Sequence, residues 1–159
     1  EECKAIRIHG TKKDKYNSEM IGLNGRLDSI QAAVLLEKLS IFDNELELRN
    51  KVNAKYREYI SNAQYHPIDY KSSHALFSIV LKSNIERNDL ADRLLKNDIP
   101  SVIYYKFPIH LMKAFKYLKY QKGSLPVSEN LSNSIISLPM HPFLKTRDIH
   151  KIIKCIKNN

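Results

Sequence analysis

The chain has 159 residues, with 26 basic and 17 acidic side chains and a formal net charge of +9. Its hydrophobic content of 43% and charged content of 27% are globular values, so a wholly disordered chain is excluded and one domain with a real core is expected. No apolar run approaches the roughly 18 residues that a membrane span needs, and no signal or targeting segment is visible. The expected setting is therefore soluble and cytoplasmic. The first residues, Glu1-Glu2-Cys3-Lys4, resemble the inside of a structural element, and the chain reads as a piece of something longer. Cys3 and Cys155 match no metal or redox spacing, which fits two free thiols in a reducing compartment.

Residues 1–9 read as the end of an ordered element stopped at Gly10, and a polar loop covers 11–18. Gly22-Leu-Asn-Gly-Arg26 reads as a compact turn that uses half of the chain's four glycines. Asp28-Ser-Ile-Gln31 has capping-box form. The helix it opens carries Ile30, Ala32, Ala33, Val34, Leu35, Leu36 and Leu39, apolar nearly all round, so another domain or subunit is expected to cover it. Asp43 is the expected cap of a second, longer helix with Leu46, Val52, Tyr56, Tyr59 and Ile60 on one face, ending near Asn62 before Tyr65-His-Pro67.

The period then changes. Ala75–Leu81 reads as a buried strand, and Leu90, Leu94 and Leu95 mark a helix that ends before Ile99-Pro100. Val102–Tyr105 reads as a second strand, and Phe115 and Leu118 as the buried side of a short helix. A helix started by Pro126 carries Leu131, Ile135 and Ile136, followed by an extended Ser137–Pro142. Thr146 is the expected cap of a last helix with Ile149, Ile152, Ile153 and Ile156 on its apolar stripe. The order predicts an α/β or α+β unit: two long helices, then a small sheet flanked by helices.

Spacing reveals no self-sufficient active site. The six histidines form no H-E-x-x-H pair, and neither G-x-S-x-G nor a P-loop occurs. Any catalysis must borrow groups from elsewhere. Asn24 and Arg26 stand at the mouth of the apolar helix, where N–H donors favour phosphate or carboxylate; equally, Asn24 suits a turn and Arg26 a surface acid. Tyr104-Tyr-Lys-Phe-Pro-Ile-His110 is a ligand edge or a structural hydroxyl pair. From Lys106 to Lys122, lysines alternate with Phe107, Phe115, Tyr117 and Tyr120 and no acid intervenes. That composition suits stacking on nucleic acid, but charge runs are usually solvated faces, and nucleic acid is the weaker reading.

Gly22 to Leu39 closely resembles the G-x-N-x-R-x-(D/S)-x-x-Q-A-A segment of the DegT/StrS-type sugar aminotransferases. Arg7-Ile-His-Gly10, Ile41-Phe-Asp43, Tyr104-Tyr-x-x-Pro-Ile-His110, Leu125-Pro-Val-Ser-Glu129 and Leu138-Pro-Met-His-Pro142 continue the resemblance in the family's order. It implies a type I pyridoxal-phosphate fold of the α/β class, of which this is the C-terminal part. Residues 1–64 would be an interdomain segment with dimer-interface helices and 65–159 the small C-terminal domain. The implied activity moves an amino group from glutamate to a keto-sugar nucleotide for surface polysaccharide, the wording being nearest to members that aminate 3-oxo-uronic acid sugars. By the same resemblance the cofactor-bearing lysine lies upstream, so this chain alone would be inactive. Asn24 would reach across a homodimer to the cofactor phosphate, while Arg26, Tyr104 and Tyr105 would hold the sugar nucleotide. The chain departs from the family's pattern at Lys106, Met112 and Lys113, at Asp98 where glycine is usual, and at His74-Ala-Leu-Phe77. A non-catalytic remnant and a basic ligand- or nucleic-acid-binding module are the alternatives.

Overall fold

The computed structural model describes residues 1–60 and 72–157. It divides into two compact units, Glu1–Asp43 and Asn44–Asn159.

In the first unit, helix α1 (Glu2–Ile6) leads into Gly10, whose φ of +76° and contact with the Met20 carbonyl leave no room for a Cβ. The Gly22–Arg26 segment is extended rather than a compact turn. Leu23 N–H donates to Ile6 O at 2.8 Å, His9 N–H to Leu23 O at 3.0 Å and Gly25 N–H to Arg7 O at 2.8 Å. Ile8 and Asn24 thereby form an antiparallel bridge. Gly22 is needed for close approach, since a Cβ there would strike the backbone of Ile6, His9 and Gly10. The expected capping box closes at the start of α2 (Ser29–Ser40), with Asp28 N–H donating to Gln31 Oε1 at 3.1 Å. No residue of α2 is buried, and Leu36 and Leu39 are 67% and 68% exposed.

Helix α3 (Phe42–Tyr59) begins before Asp43, which lies inside the helix instead of capping it. Val52, Tyr56 and Ile60 enter the core, whereas Leu46 is half-buried and Tyr59 faces water. The expected helix end near Asn62, the Tyr65-His66-Pro67 segment and the division at residue 64 lie outside the described residues.

The sheet of the second unit is an antiparallel pair, β1 (Phe77–Val80) and β2 (Ile135–Leu138), in the register Phe77–Leu138, Ser78–Ser137, Ile79–Ile136 and Val80–Ile135. Phe77 and Ile79 are buried, and the Ser78 and Ser137 hydroxyls meet at 2.8 Å. Two expectations fail here for one reason. Helix α5 (Pro126–Ser134) stops before Ile135 and Ile136, and Val102–Tyr105 contributes a single bridge, Val102 to Ser137. β-Branched Ile135 and Ile136 gain more from packing opposite Val80 and Ile79 than from prolonging a helix. The second strand is thus the end of the predicted helix.

Helix α4 (Asn84–Lys96) opens on Ser83, whose hydroxyl accepts the Glu86 N–H at 3.2 Å. It closes with Ile99 N–H on Leu94 O at 2.9 Å and Asp98 N–H on Leu95 O at 3.0 Å, a Schellman arrangement. Asp98 occupies its left-handed position at φ +56°. Leu90 and Leu94 are buried, but Leu95 points to solvent, being about 100° round the helix from Leu94. Helix α6 (Thr146–Lys157) buries Ile149, Ile152, Ile153 and Cys155, with Ile156 half-buried against the same cluster. Lys113–Leu118 is a 3₁₀ helix with no fully buried residue: Phe115 is half-buried and Leu118 exposed. Among the described residues no helix is long and apolar enough to cross a membrane.

Candidate functional site

The first unit presents Asn24 and Arg26. The backbone of Asn24 is fixed by pairing with the Ile8 strand, while its side chain and that of Arg26 are exposed. Among the described residues no ion pair of Arg26 is seen. The mouth of α2 differs from the sequence expectation. Asp28 brings its own carboxylate to the first helical N–H groups, so an anion would meet a negative charge there. What the segment offers to a ligand is one amide and one guanidinium on a rigid extended strand.

The second unit presents Tyr104 and Tyr105 just beyond the Val102 bridge. The peptide joining them is cis, and their rings meet edge to face with centroids 5.5 Å apart. Tyr105 is 72% exposed. Both rings line a pocket of about 580 Å³ whose other walls are Phe107, Pro108 and Ile109 on one side and Leu125 to Ser128, Leu131, Ser132 and Ile135 on the other. The volume suits a drug-sized ligand or part of a larger one. Its polar groups are few: the two phenols, Ser128, Ser132 and the first turn of α5, where Pro126 has no N–H to offer.

Behind this pocket the sequence reading named His110 but gave no role to its partner Glu129 or to the buried Arg87. His110 Nε2 lies 3.0 Å from Glu129 Oε1, with only 5% and 12% of the two side chains exposed. Glu129 also accepts the N–H of Gly123 at 2.9 Å on each oxygen and of Leu125 at 3.3 Å. The Gly123 N–H above all, and then His110, hold the carboxyl below its ordinary value against the opposing effect of desolvation. Arg87, buried on α4, donates from Nε to Asn88 Oδ1 at 2.8 Å and from Nη1 to Ser132 O at 3.4 Å, placing a cation at the C-terminal end of α5. The signal for Glu129 was its place four residues after Leu125, one turn from the start of a helix; nothing comparable marked Arg87.

The sequence profile described as the DegT/DnrJ/EryC1/StrS aminotransferase family matches residues 1–157. A "pleiotropic regulatory protein" of Geobacillus stearothermophilus is 32% identical, the match covering 98% of this chain and 43% of that protein. The UDP-2-acetamido-2-deoxy-3-oxo-D-glucuronate aminotransferase of Pseudomonas aeruginosa is 31% identical over 96% of this chain and 42% of its own length. Among solved structures, a DegT DnrJ EryC1 StrS aminotransferase from Brucella abortus superimposes with a TM-score of 0.84 at 41% identity, covering 98% of this chain and 42% of that one. The chain therefore spans under half the length of the relatives it matches. It belongs to the DegT/DnrJ/EryC1/StrS aminotransferase family.

Proposed function

We propose, from that membership, that this chain is the C-terminal part of a pyridoxal-phosphate-dependent aminotransferase acting on a keto-sugar nucleotide. Glutamate is the proposed amino donor, surface polysaccharide the proposed destination and the cytoplasm the proposed setting. Bound pyridoxal phosphate supplies the electron sink through which an amino group leaves the donor and enters the keto carbon. The chain's own residues fit a share of that site. The exposed carboxamide of Asn24, on a backbone fixed by the Ile8 bridge, is a donor suited to a phosphate oxygen. Arg26 offers a forked cation to the diphosphate, and Tyr104 and Tyr105 offer stacking faces and hydroxyls to the sugar nucleotide.

The observation that carries the reading is α2. A helix bearing Ile30, Val34, Leu35, Leu36 and Leu39 on its exposed surface, directly after Asn24 and Arg26, is a surface made to be covered. We assign the cover to the rest of the protein and to a second copy, which makes residues 1–64 the interdomain and dimer segment and 65–159 the small domain. The lysine that carries the cofactor belongs to the covering part.

The test is direct. The chain is incubated with pyridoxal phosphate, reduced with borohydride and weighed by mass spectrometry. Scattered, substoichiometric labelling of surface lysines is expected. A stoichiometric adduct on one lysine would refute the reading.

A further inference from the structure

The pocket beside Tyr104 and Tyr105 is built from two segments far apart in sequence, Tyr104–Ile109 and Leu125–Ser132. Behind the first wall, immediately after Ile109, stands His110; on the second, one helical turn from Leu125, stands Glu129. The 3.0 Å contact between them joins the walls through a pair of nearly buried side chains. We propose that the His110–Glu129 pair is a positioning device that sets the separation of the pocket walls and with it the placement of Tyr104 and Tyr105, without itself touching a ligand. The inference rests on the reading of these tyrosines as substrate contacts and adds what holds them.

The chemistry specifies the pair. Glu129 receives N–H groups from Gly123 and Leu125, so its carboxyl is ionised at neutral pH and can only accept. The proton between the two therefore resides on His110 Nε2, which donates. A buried bond with an ionised acceptor is short and directional, hence suited to fixing a distance. The Tyr120 ring stands edge-on to His110 at 6.0 Å between centroids and limits rotation of the imidazole. Gly123 and Leu125 alone would satisfy the carboxylate if its task were only to hold the 119–125 loop. The additional bond to His110, five residues from Tyr105, links that loop and α5 to the aromatic wall.

The experiment uses the full chain labelled with 3-fluorotyrosine, whose Tyr56, Tyr104 and Tyr105 fluorine resonances are assigned by single Tyr→Phe substitutions. In Glu129→Ala and His110→Ala, the Tyr104 and Tyr105 resonances are expected to move or broaden. Tyr56, fully buried in the core of the same unit and donating to Pro139 O at 2.9 Å, is expected to stay in place. His110→Gln, whose carboxamide can donate to Glu129, is expected to restore both pocket resonances. Unchanged pocket resonances in the alanine variants would overturn the proposal. So would movement of Tyr56 together with them, the mark of general loosening. A parallel titration uses uridine diphosphate as probe: binding is expected to weaken about tenfold in Glu129→Ala and to recover in His110→Gln. If the unaltered chain does not bind the probe, the assignment of the tyrosines to substrate fails, while the fluorine spectra still decide the positioning role.

Discussion

Glu129 gathers three donors on one carboxylate, and this has a pH consequence. Its folded value lies below the ordinary 4.5, so the unfolded chain takes up the proton first as acid is added. The stabilisation is fully present above the unfolded value and is lost as pH falls through the folded one. The thermal midpoint of the chain should accordingly fall more steeply between about pH 5 and pH 3 than that of Glu129→Gln, which has no such proton to take up. Parallel midpoint–pH curves would show that the carboxylate contributes nothing specific. At this scale the sequence was partly legible. Tyr104, Tyr105 and His110 stood out together, and the structure puts both tyrosines on a pocket and His110 behind it. Glu129 and Arg87 did not stand out, because their roles depend on partners 19 and 45 residues away.

Single elements show where a local rule yields to its surroundings. Helix α4 ends in a complete Schellman arrangement, with buried Leu94 and Ile99 at its hydrophobic contact positions, yet Asp98 fills the left-handed place that glycine occupies without strain. Asp98→Gly should therefore raise stability by about 0.5–1 kcal/mol, the left-handed penalty being partly offset by the greater freedom of glycine when unfolded. Denaturant unfolding measures it, and a loss of stability would show that the Asp98 side chain contributes more than its backbone costs. The capping box of α2 was legible because its signals are four residues long. The stripe of α6 was legible because period and burial agree. The change at Ile135 was not, since an apolar pair after a helix continues it as readily as it begins a strand. Opposing Val80 and Ile79 settles the matter, and those residues lie more than fifty positions upstream.

For the molecule as a whole, the exposed apolar surface of α2 is the feature that most needs an explanation. The second unit packs Leu90, Leu94, Ile149 and Ile152 with Tyr56, Ile79 and Ile136 in one core, whereas α2 leaves every one of its leucines and isoleucines exposed. The sequence showed this helix to be apolar nearly all round, but nothing in its pattern says what packs on it. Under the proposed function, other protein, a second copy included, packs on α2. Sedimentation velocity over a wide concentration range, comparing the chain with Leu36→Glu/Leu39→Glu, decides whether this is so. Both positions are already exposed, so the double variant should keep its helical circular dichroism and change the stability of the isolated fold by under about 1 kcal/mol. The unaltered chain is expected to self-associate with rising concentration, and the two glutamates to abolish this. A monodisperse monomer at every concentration, sedimenting identically with and without the substitutions, would contradict it.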